Sequence, residues 1–295
     1  VVKERETILF VVNPFAGIGN ISKLSNRIYK SLRNSRYSAL VVVADETTDL
    51  QTLIQGHLNS GCNKVFAVGG NAAVSKVATH LVNTHASLGI VPVGSGNGLA
   101  RHLRIPLDVD KAIKLVHRQK IAMIDYGLAN STPFFCIAGL GFDADMAIRF
   151  NSLTKRNFWN YALATISELS RAKAKLYRIN NNGHKIHKEA FSISVANATR
   201  YGHNAIIAPD ADTADGFLDV TIISPFPKFF APSIATKLFN GKISKSRYVE
   251  IFRVSHLEIE PEDTAGAMHL DGITMVTGSS VEFAIKPLGL KVYVP

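Results

Sequence analysis

The stretch VFAVGGNAAVSKVATHLVNTHASLGIVPVGSGNGLARHLRIP, Val65–Pro106, decides the fold. It opens on an apolar run, Val65 to Val68, that stops at Gly69-Gly70. Val74, Val77, Leu81 and Val82 then recur at helical spacing. A second apolar run, Leu88 to Val93, ends on Gly94-Ser95-Gly96-Asn97-Gly98, and Leu99 begins another helix. Strand, glycine turn, helix, strand, glycine turn, helix is the order of a βαβ unit with a parallel sheet. Both glycine turns fall at the carboxyl ends of neighbouring strands, where open α/β sheets bind ligands. Glycine lets a phosphate approach the main chain, and helix N-termini supply oriented N–H donors.

The same rhythm extends on either side. Thr7 to Val12 reads as a buried strand, followed by the loop Asn13-Pro14-Phe15-Ala16-Gly17-Ile18-Gly19-Asn20 and a helix carrying Ile21, Leu24, Ile28 and Leu32. Ala39 to Ala44 is a second strand, with Leu50, Leu53, Ile54 and Leu58 on the helix behind it. Asp108 to His117 reads as one capped helix, and Ile121 to Tyr126 leads out. From about Gly127 the pattern changes to short strands: Phe134–Ala138, Lys175–Ile179, Phe191–Val195, Leu218–Ile223, Tyr248–Val254, Leu257–Ile259 and Val281–Ile285. A longer helix is expected over Phe158–Arg171. The expected class is α/β: a Rossmann-like N-terminal parallel-sheet domain over 1–126 and a β-sandwich-like C-terminal domain over 127–287.

Composition narrows the function. Hydrophobic content of 46% and charged content of 19% over 295 residues are those of globular domains. No apolar run approaches the ~18–20 residues that span a bilayer, and the opening VVKERE is not a signal peptide. Cys62 and Cys136 lack metal spacing, as free thiols in a reducing compartment do. The ten histidines show no ligand spacing either, and the dehydrogenase form of the glycine motif is absent. A net charge of +10 calls for an anionic partner. Residues 149–188 hold nine Lys/Arg against Glu168, and residues 226–247 hold five with no acid. No nucleic-acid motif accompanies either run, which leaves a phosphate ligand, an anionic membrane or simply a solvated basic face.

The pair GGNAAVSKVA and PVGSGNGLARHL resembles the nucleotide-binding core of the diacylglycerol kinase and sphingosine kinase catalytic domain family. The family pattern is G-G-D-G-T, then G-[TS]-x-N-[DG]-[FL]-A-R. The second half matches at Gly94, Ser95, Asn97, Gly98, Leu99, Ala100 and Arg101, whereas Asn71, Ala72 and Ala73 replace Asp, Gly and Thr in the first. NPFAGIGN resembles the family's N-P-x-[SG]-G, and VANATRYGHNAIIAPDADTADGFLDVTII its A-P-x-A-x-x-x-D-G-x-L-D. Met268-His269-Leu270-Asp271-Gly272-Ile273 resembles H-x-D-G-E, with Ile273 at the Glu position. The likeness therefore runs over nearly the whole chain.

The resemblance implies the NAD kinase/diacylglycerol kinase-like fold, with 288–295 returning to the first domain. It also implies an ATP- and Mg²⁺-dependent transfer to a diacylglycerol-like or sphingoid lipid. Asn13, Gly17, Gly69, Gly70, Asn71, Gly94, Ser95 and Asn97 would bind the nucleotide. Asp212 and Asp215, with the carbonyl of Phe217, would hold a structural Mg²⁺, unless Asp210, Asp212, Asp215 and Asp219 form only a polar loop. The family's proton acceptor is that missing Glu, which leaves Asp271 to substitute; taken alone, Asp271-Gly272 reads as a hairpin turn. Two altered catalytic positions imply attenuated or lost activity, with a non-catalytic nucleotide- or lipid-binding protein as the alternative. Asp143 and Asp145 read as helix-start acids. A cytoplasmic protein touching an anionic membrane is expected. Phe226, Phe229, Phe230, Ile234, Leu238 and Phe239, with Lys228, Lys237, Lys242, Lys245 and Arg247, would form the docking segment, unless those aromatics are core.

Overall fold

Residues 5–14, 20–151, 173–181, 183–202, 204–262 and 266–295 are described by the computed structural model. The expected helix over Phe158–Arg171 and the loop residue Gly17 lie outside them. Contacts divide the chain into two units, residues 1–124 with 288–295, and residues 125–287.

Parallel strands covered on both faces need apolar side chains at almost every position. In unit 1, Glu6–Val12 (β1), Tyr37–Val43 (β2), Lys64–Gly69 (β3) and Ser87–Pro92 (β4) alternate with Ile21–Leu32 (α1), Leu50–Asn59 (α2) and Asn71–Thr79 (α3). β3 is buried from Val65 onward and β4 throughout. The sheet order is β2-β1-β3-β4, all parallel. Asn20 and Asp49 start α1 and α2 by accepting the main-chain N–H of Lys23 and Thr52. After Gly98–His102 (α4), the single helix expected over Asp108–His117 is instead two short ones, Val109–Ile113 (α5) and Leu115–Arg118 (α6), broken at Lys114. Ile113, Leu115 and Val116 are all buried, more of the circumference than one straight helix would hide.

Unit 2 is a β-sandwich-like domain. Its elements include Ile121–Ala129 (β5), which enters from unit 1, Thr132–Phe134 (β6), Ile137–Gly141 (β7), Phe142–Asn151 (α7), Lys175–Asn181 (β8) and His184–Ala190 (β9). Ser192–Ala196 (β10), Arg200–Gly202 (β11), Ala205–Ile206 (β12), Leu218–Ile223 (β13), Val249–Val254 (β14) and His256–Pro261 (β15) follow. Ala267–Leu270 (β16), Ile273–Val276 (β17) and Val281–Tyr293 (β18) complete the chain. One antiparallel sheet runs β14-β13-β10-β7-β16-β17; in the other, β15 pairs with the start of β18 and with β8, and β8 with β9. Leu140, Ile193, Val220 and Met268 from the first sheet share one core with Ile179, Leu257 and Phe283 from the second. The last residues of β18 belong to unit 1, where Lys291 and Val292 pair in parallel with Ser87 and Leu88 of β4.

Candidate functional site

The glycine loops of unit 1 are latched to one another. Both follow parallel strands, and each strand end hands its next N–H across: Asn13 N donates to Val68 O at 3.1 Å, and Val93 N to Gly69 O at 3.2 Å. A Cβ on Gly94 would lie 2.4 Å from the Cα of Gly70, so glycine is required there by space. Asn71 Oδ1 accepts from Gly98 N at 2.7 Å. Asn97, left-handed at φ 53°, closes its own loop, accepting from Gly94 N at 3.1 Å and donating to Gly94 O at 2.7 Å. Arg101 Nε adds a bond to Gly96 O at 3.0 Å.

These contacts explain the altered first motif. Asn71 spends its amide oxygen on the second loop. Ala72 lies inside α3 and is absent from the positive-φ residues, so its Cβ brings none of the strain that a left-handed position would impose. Ala73 packs where a side chain on Gly69 would otherwise stand, 2.4 Å from the Cβ built there. Its N-cap, Gly70, offers no side-chain cap. The N–H groups of Ala72 and Ala73 have no acceptor within the helix, which suits the oxygens of a phosphate. No carboxylate stands in these described loops, so they fit a phosphate better than a metal ion bound by the protein. Ser95 is half-buried beside them. Thr47 and Thr48, just beyond β2, turn their hydroxyls onto Asp45 and hold its carboxyl below the usual range.

In unit 2, Asp271 has a different task from the proton acceptor expected of it. It is only 4% exposed and sits in a two-residue hairpin, with φ 52° at Asp271 and 86° at Gly272. Its carboxylate accepts from the N–H groups of Phe135 (2.8 Å), Cys136 (2.8 Å) and Ile137 (3.0 Å). That explains why the strand expected over Phe134–Ala138 is interrupted: β6 ends at Phe134 and β7 begins at Ile137. The donors between them serve a side chain. Asp271 is also not in an extended segment, the condition for it to face the way residue 273 does.

The acidic loop expected to hold Mg²⁺ carries its own cation. Arg253 Nη1 lies 3.3 Å from Asp215 Oδ2, its Nε lies 3.5 Å from Asp219 Oδ1, and Nη2 donates to Asp210 O at 2.8 Å. Asp212 and Asp215 also accept the N–H groups of Ala214 and Phe217. Burial raises the carboxyl pKa of Asp219, whose Oδ2 has no hydrogen-bond partner. Among the described residues no group of three or more His, Cys, Asp or Glu is arranged for a metal. Arg253 therefore offsets part of the loop's negative charge, pairing with Asp215 and Asp219, while the Asp212 carboxylate accepts the N–H of Ala214. Sequence reasoning overlooked Asp125, fully buried, which braces this loop: its Oδ2 accepts from Gly216 N at 2.8 Å and its N–H donates to Thr213 O at 2.6 Å. Its signal was a lone acid ending the apolar strand Ile121–Tyr126.

Part of the candidate membrane segment packs against neighbouring rings or the core. Phe226 meets Phe191 and Tyr248 at 5.2 and 6.0 Å, Phe230 meets Tyr248 at 5.4 Å, and Ile234 is buried. Phe229 stays 76% exposed, with half-buried or exposed Lys228, Lys237 and Lys242 on the same segment. No helix among the described residues is long and apolar enough to cross a membrane.

Comparison with known proteins matches residues 7–129 to the diacylglycerol kinase catalytic domain and residues 136–294 to the YegS C-terminal NAD kinase beta sandwich-like domain. A Synechocystis protein is 28% identical over 277 residues, 89% of this chain, which spans only 60% of that relative's length. A Pseudomonas aeruginosa protein described as "Probable lipid kinase YegS-like" is 28% identical over 86% of this chain and 84% of its own. A Bacillus anthracis crystal structure described as a diacylglycerol kinase shares the fold, with a TM-score of 0.76 at 20% identity over 98% of this chain and 97% of that one.

Proposed function

The chain belongs to the diacylglycerol kinase and YegS lipid kinase family, and on that premise we propose that it transfers a phosphoryl group from ATP to the hydroxyl of a diacylglycerol-like or sphingoid lipid, at an attenuated rate. The observation that carries this reading is the latched pair of glycine loops at the ends of β3 and β4. In it the first-turn N–H groups of α3 hold phosphate oxygens, Asn71 ties the first loop to the second, and Asn97 closes the second. Bound ATP supplies the phosphoryl group, and Mg²⁺ accompanies it. Attenuation follows from charge: Asn71 is neutral where the family pattern has an acid, and Ile273 offers no carboxylate.

The reading gives the chain a cytoplasmic place and a lipid partner at an anionic membrane surface. Phe229 would enter the headgroup layer while the neighbouring lysines meet anionic lipid at about 1 kcal/mol each. One experiment tests both parts: transfer of labelled phosphate from ATP to diacylglycerol or sphingosine, in vesicles of increasing anionic fraction. Native protein is expected to transfer slowly, Asn71→Asp faster, and Phe229→Ser more slowly on vesicles but equally on a soluble short-chain lipid. Absence of transfer by native protein and by Asn71→Asp, with ATP still bound, would make this a non-catalytic nucleotide-binding protein.

A further inference from the structure

The outer strand of unit 1, β2, leaves part of its main chain unclaimed. A strand in a parallel pair turns alternate residues toward its neighbour and the residues between them outward. Arg36 O accepts from Glu6 N at 3.0 Å and Ala44 N donates to Val12 O at 2.9 Å, both toward β1. The register between them is unbroken, from Glu6 opposite Tyr37 to Val12 opposite Val43. The even-numbered residues therefore face β1, and Tyr37, Ala39, Val41 and Val43 aim their N–H and C=O groups away from the sheet. Ser35 closes one end of this row: its Oγ accepts from Tyr37 N at 3.1 Å and donates to Tyr37 O at 3.4 Å. Thr48 closes the other, where its Oγ1 accepts from Asp45 N at 3.1 Å. Between these caps, no hydrogen bond among the described residues engages the outward groups of Ala39, Val41 and Val43.

Sheet edges are ordinarily kept from pairing by charge, proline, a bulge or shortness. At other edges, β9 carries Lys185, Lys188 and Glu189, β14 carries Glu250 and Arg253, and β17 has only four residues. β2 is seven residues long, YSALVVV, with no charge, no proline and no shift of register. Leu40 and Val43 are 38% and 44% exposed. The open row is also symmetric: Ala39 and Val43 flank Val41 at equal spacing. A second copy turned about a two-fold axis through Val41 therefore meets it antiparallel. Val41 exchanges both bonds with the copy's Val41, Ala39 does so with the copy's Val43, and Leu40 packs beside the copy's Val42. Arg36 and Glu46, both exposed, are likewise equally spaced about Val41, so the same rotation sets each opposite the other. Glu6 holds Lys64 at 2.7 Å as well as Arg36 at 3.5 Å, so Arg36 can turn to a second acid without stranding the first.

We propose that β2 is a self-recognition edge: two copies of this chain pair it antiparallel about Val41 and join two parallel sheets into one. The occupant is a second copy because the edge complements itself in main-chain bonds, in side chains and in charge. Roughly six main-chain bonds close between the caps. A parallel pairing would instead set Arg36 beside Arg36 and Glu46 beside Glu46, and like charges directly opposite are unfavourable. A contact of this length stands at the low end of interface sizes, so the dimer forms at micromolar rather than nanomolar concentration. β1 separates the edge from β3 and β4 and their glycine loops, which stay out of the contact.

The test is sedimentation equilibrium of the full chain from micromolar to submillimolar concentration, with a melting curve for each variant. It needs neither nucleotide nor lipid, so it stands apart from the kinase reading. The native chain is expected to follow a monomer–dimer equilibrium. Val41→Pro removes an N–H that this chain does not use internally and that proline tolerates losing on an edge strand, so the variant is expected to fold and stay monomeric. Val43→Lys places a charge on the edge at an exposed position, with the same expected result, and decides the matter if Val41→Pro does not fold. Arg36→Glu is expected to lower the association constant about tenfold, because the two-fold axis makes each contact twice, and adding Glu46→Arg is expected to restore it. A native chain that stays monomeric throughout overturns the proposal and leaves the edge to solvent or to another strand. A dimer that survives in the folded edge variants, or a charge exchange that restores nothing, overturns it as well.

Discussion

The glycine loops of unit 1 and the Asp271 hairpin of unit 2 both carry family motif residues, and they use them in opposite ways. In the loops, side chains serve to hold main chain open: Asn71 and Asn97 bond to Gly98 and Gly94. The N–H groups of Ala72 and Ala73 in the first turn of α3 have no acceptor within the helix. In the hairpin, a side chain consumes main-chain donors, and nothing is left over. A polar residue in a motif can thus either expose a neighbour's hydrogen-bonding groups or satisfy them. Only the direction of its bonds distinguishes binding machinery from framework.

The sharpest way to break that contrast is Asp271→Ala. It would strand the three N–H groups of Phe135, Cys136 and Ile137 in a buried setting. At about 1–3 kcal/mol per stranded donor the expected cost is at least roughly 3 kcal/mol of stability, read by urea denaturation. A loss under about 1 kcal/mol, the scale of an ordinary exposed site, would return Asp271 to a chemical role. Gly94→Ala probes the other side. With its new Cβ 2.4 Å from Gly70 Cα, the two loops must part. The expected cost is about 1–3 kcal/mol, with a loss of ATP affinity measurable by calorimetry. Retained affinity would mean that the latch does not shape the cradle.

The smallest effects should differ in sign between the units. Asp110 in unit 1 is held below its ordinary pKa by Arg27, 3.0 Å away, and by Ser31. Its contribution is present above the unfolded carboxylate range and is lost as pH falls through the folded value. Both partners are more than 40% exposed, so less than about 1 kcal/mol is expected. Asp219 in unit 2 is raised by burial, so its contribution is present at low pH and is lost as pH rises through the folded value. Urea titrations from acid to neutral pH should therefore show Asp110→Asn destabilising mostly at neutral pH and Asp219→Asn stabilising there. Matching signs would refute the burial account of Asp219.

What the sequence disclosed follows the same division. The loops of unit 1 were legible because Gly69, Gly70, Gly94 and Asn97 are local punctuation in an apolar, helix-alternating pattern. The break at Phe135 and Cys136 was not, because its cause lies in the hairpin at Asp271, far along the chain. Arg253 looked like one basic residue in a strand, yet it pairs with Asp215 and Asp219 in a loop more than thirty residues earlier.

The path of β18 bears on how the protein is made. The edge of β4 is covered by Lys291 and Val292, Asn83 N donates to Gly289 O, and Tyr293 stacks on Phe66 at 5.7 Å. All three attachments come from residues that leave the ribosome after the whole of unit 2. Throughout translation, then, the first-made sheet carries an unpaired parallel edge, the kind of surface that recruits stray strands. A nascent chain paused before residue 288 would be a target for chaperones even with every nucleotide loop already synthesised.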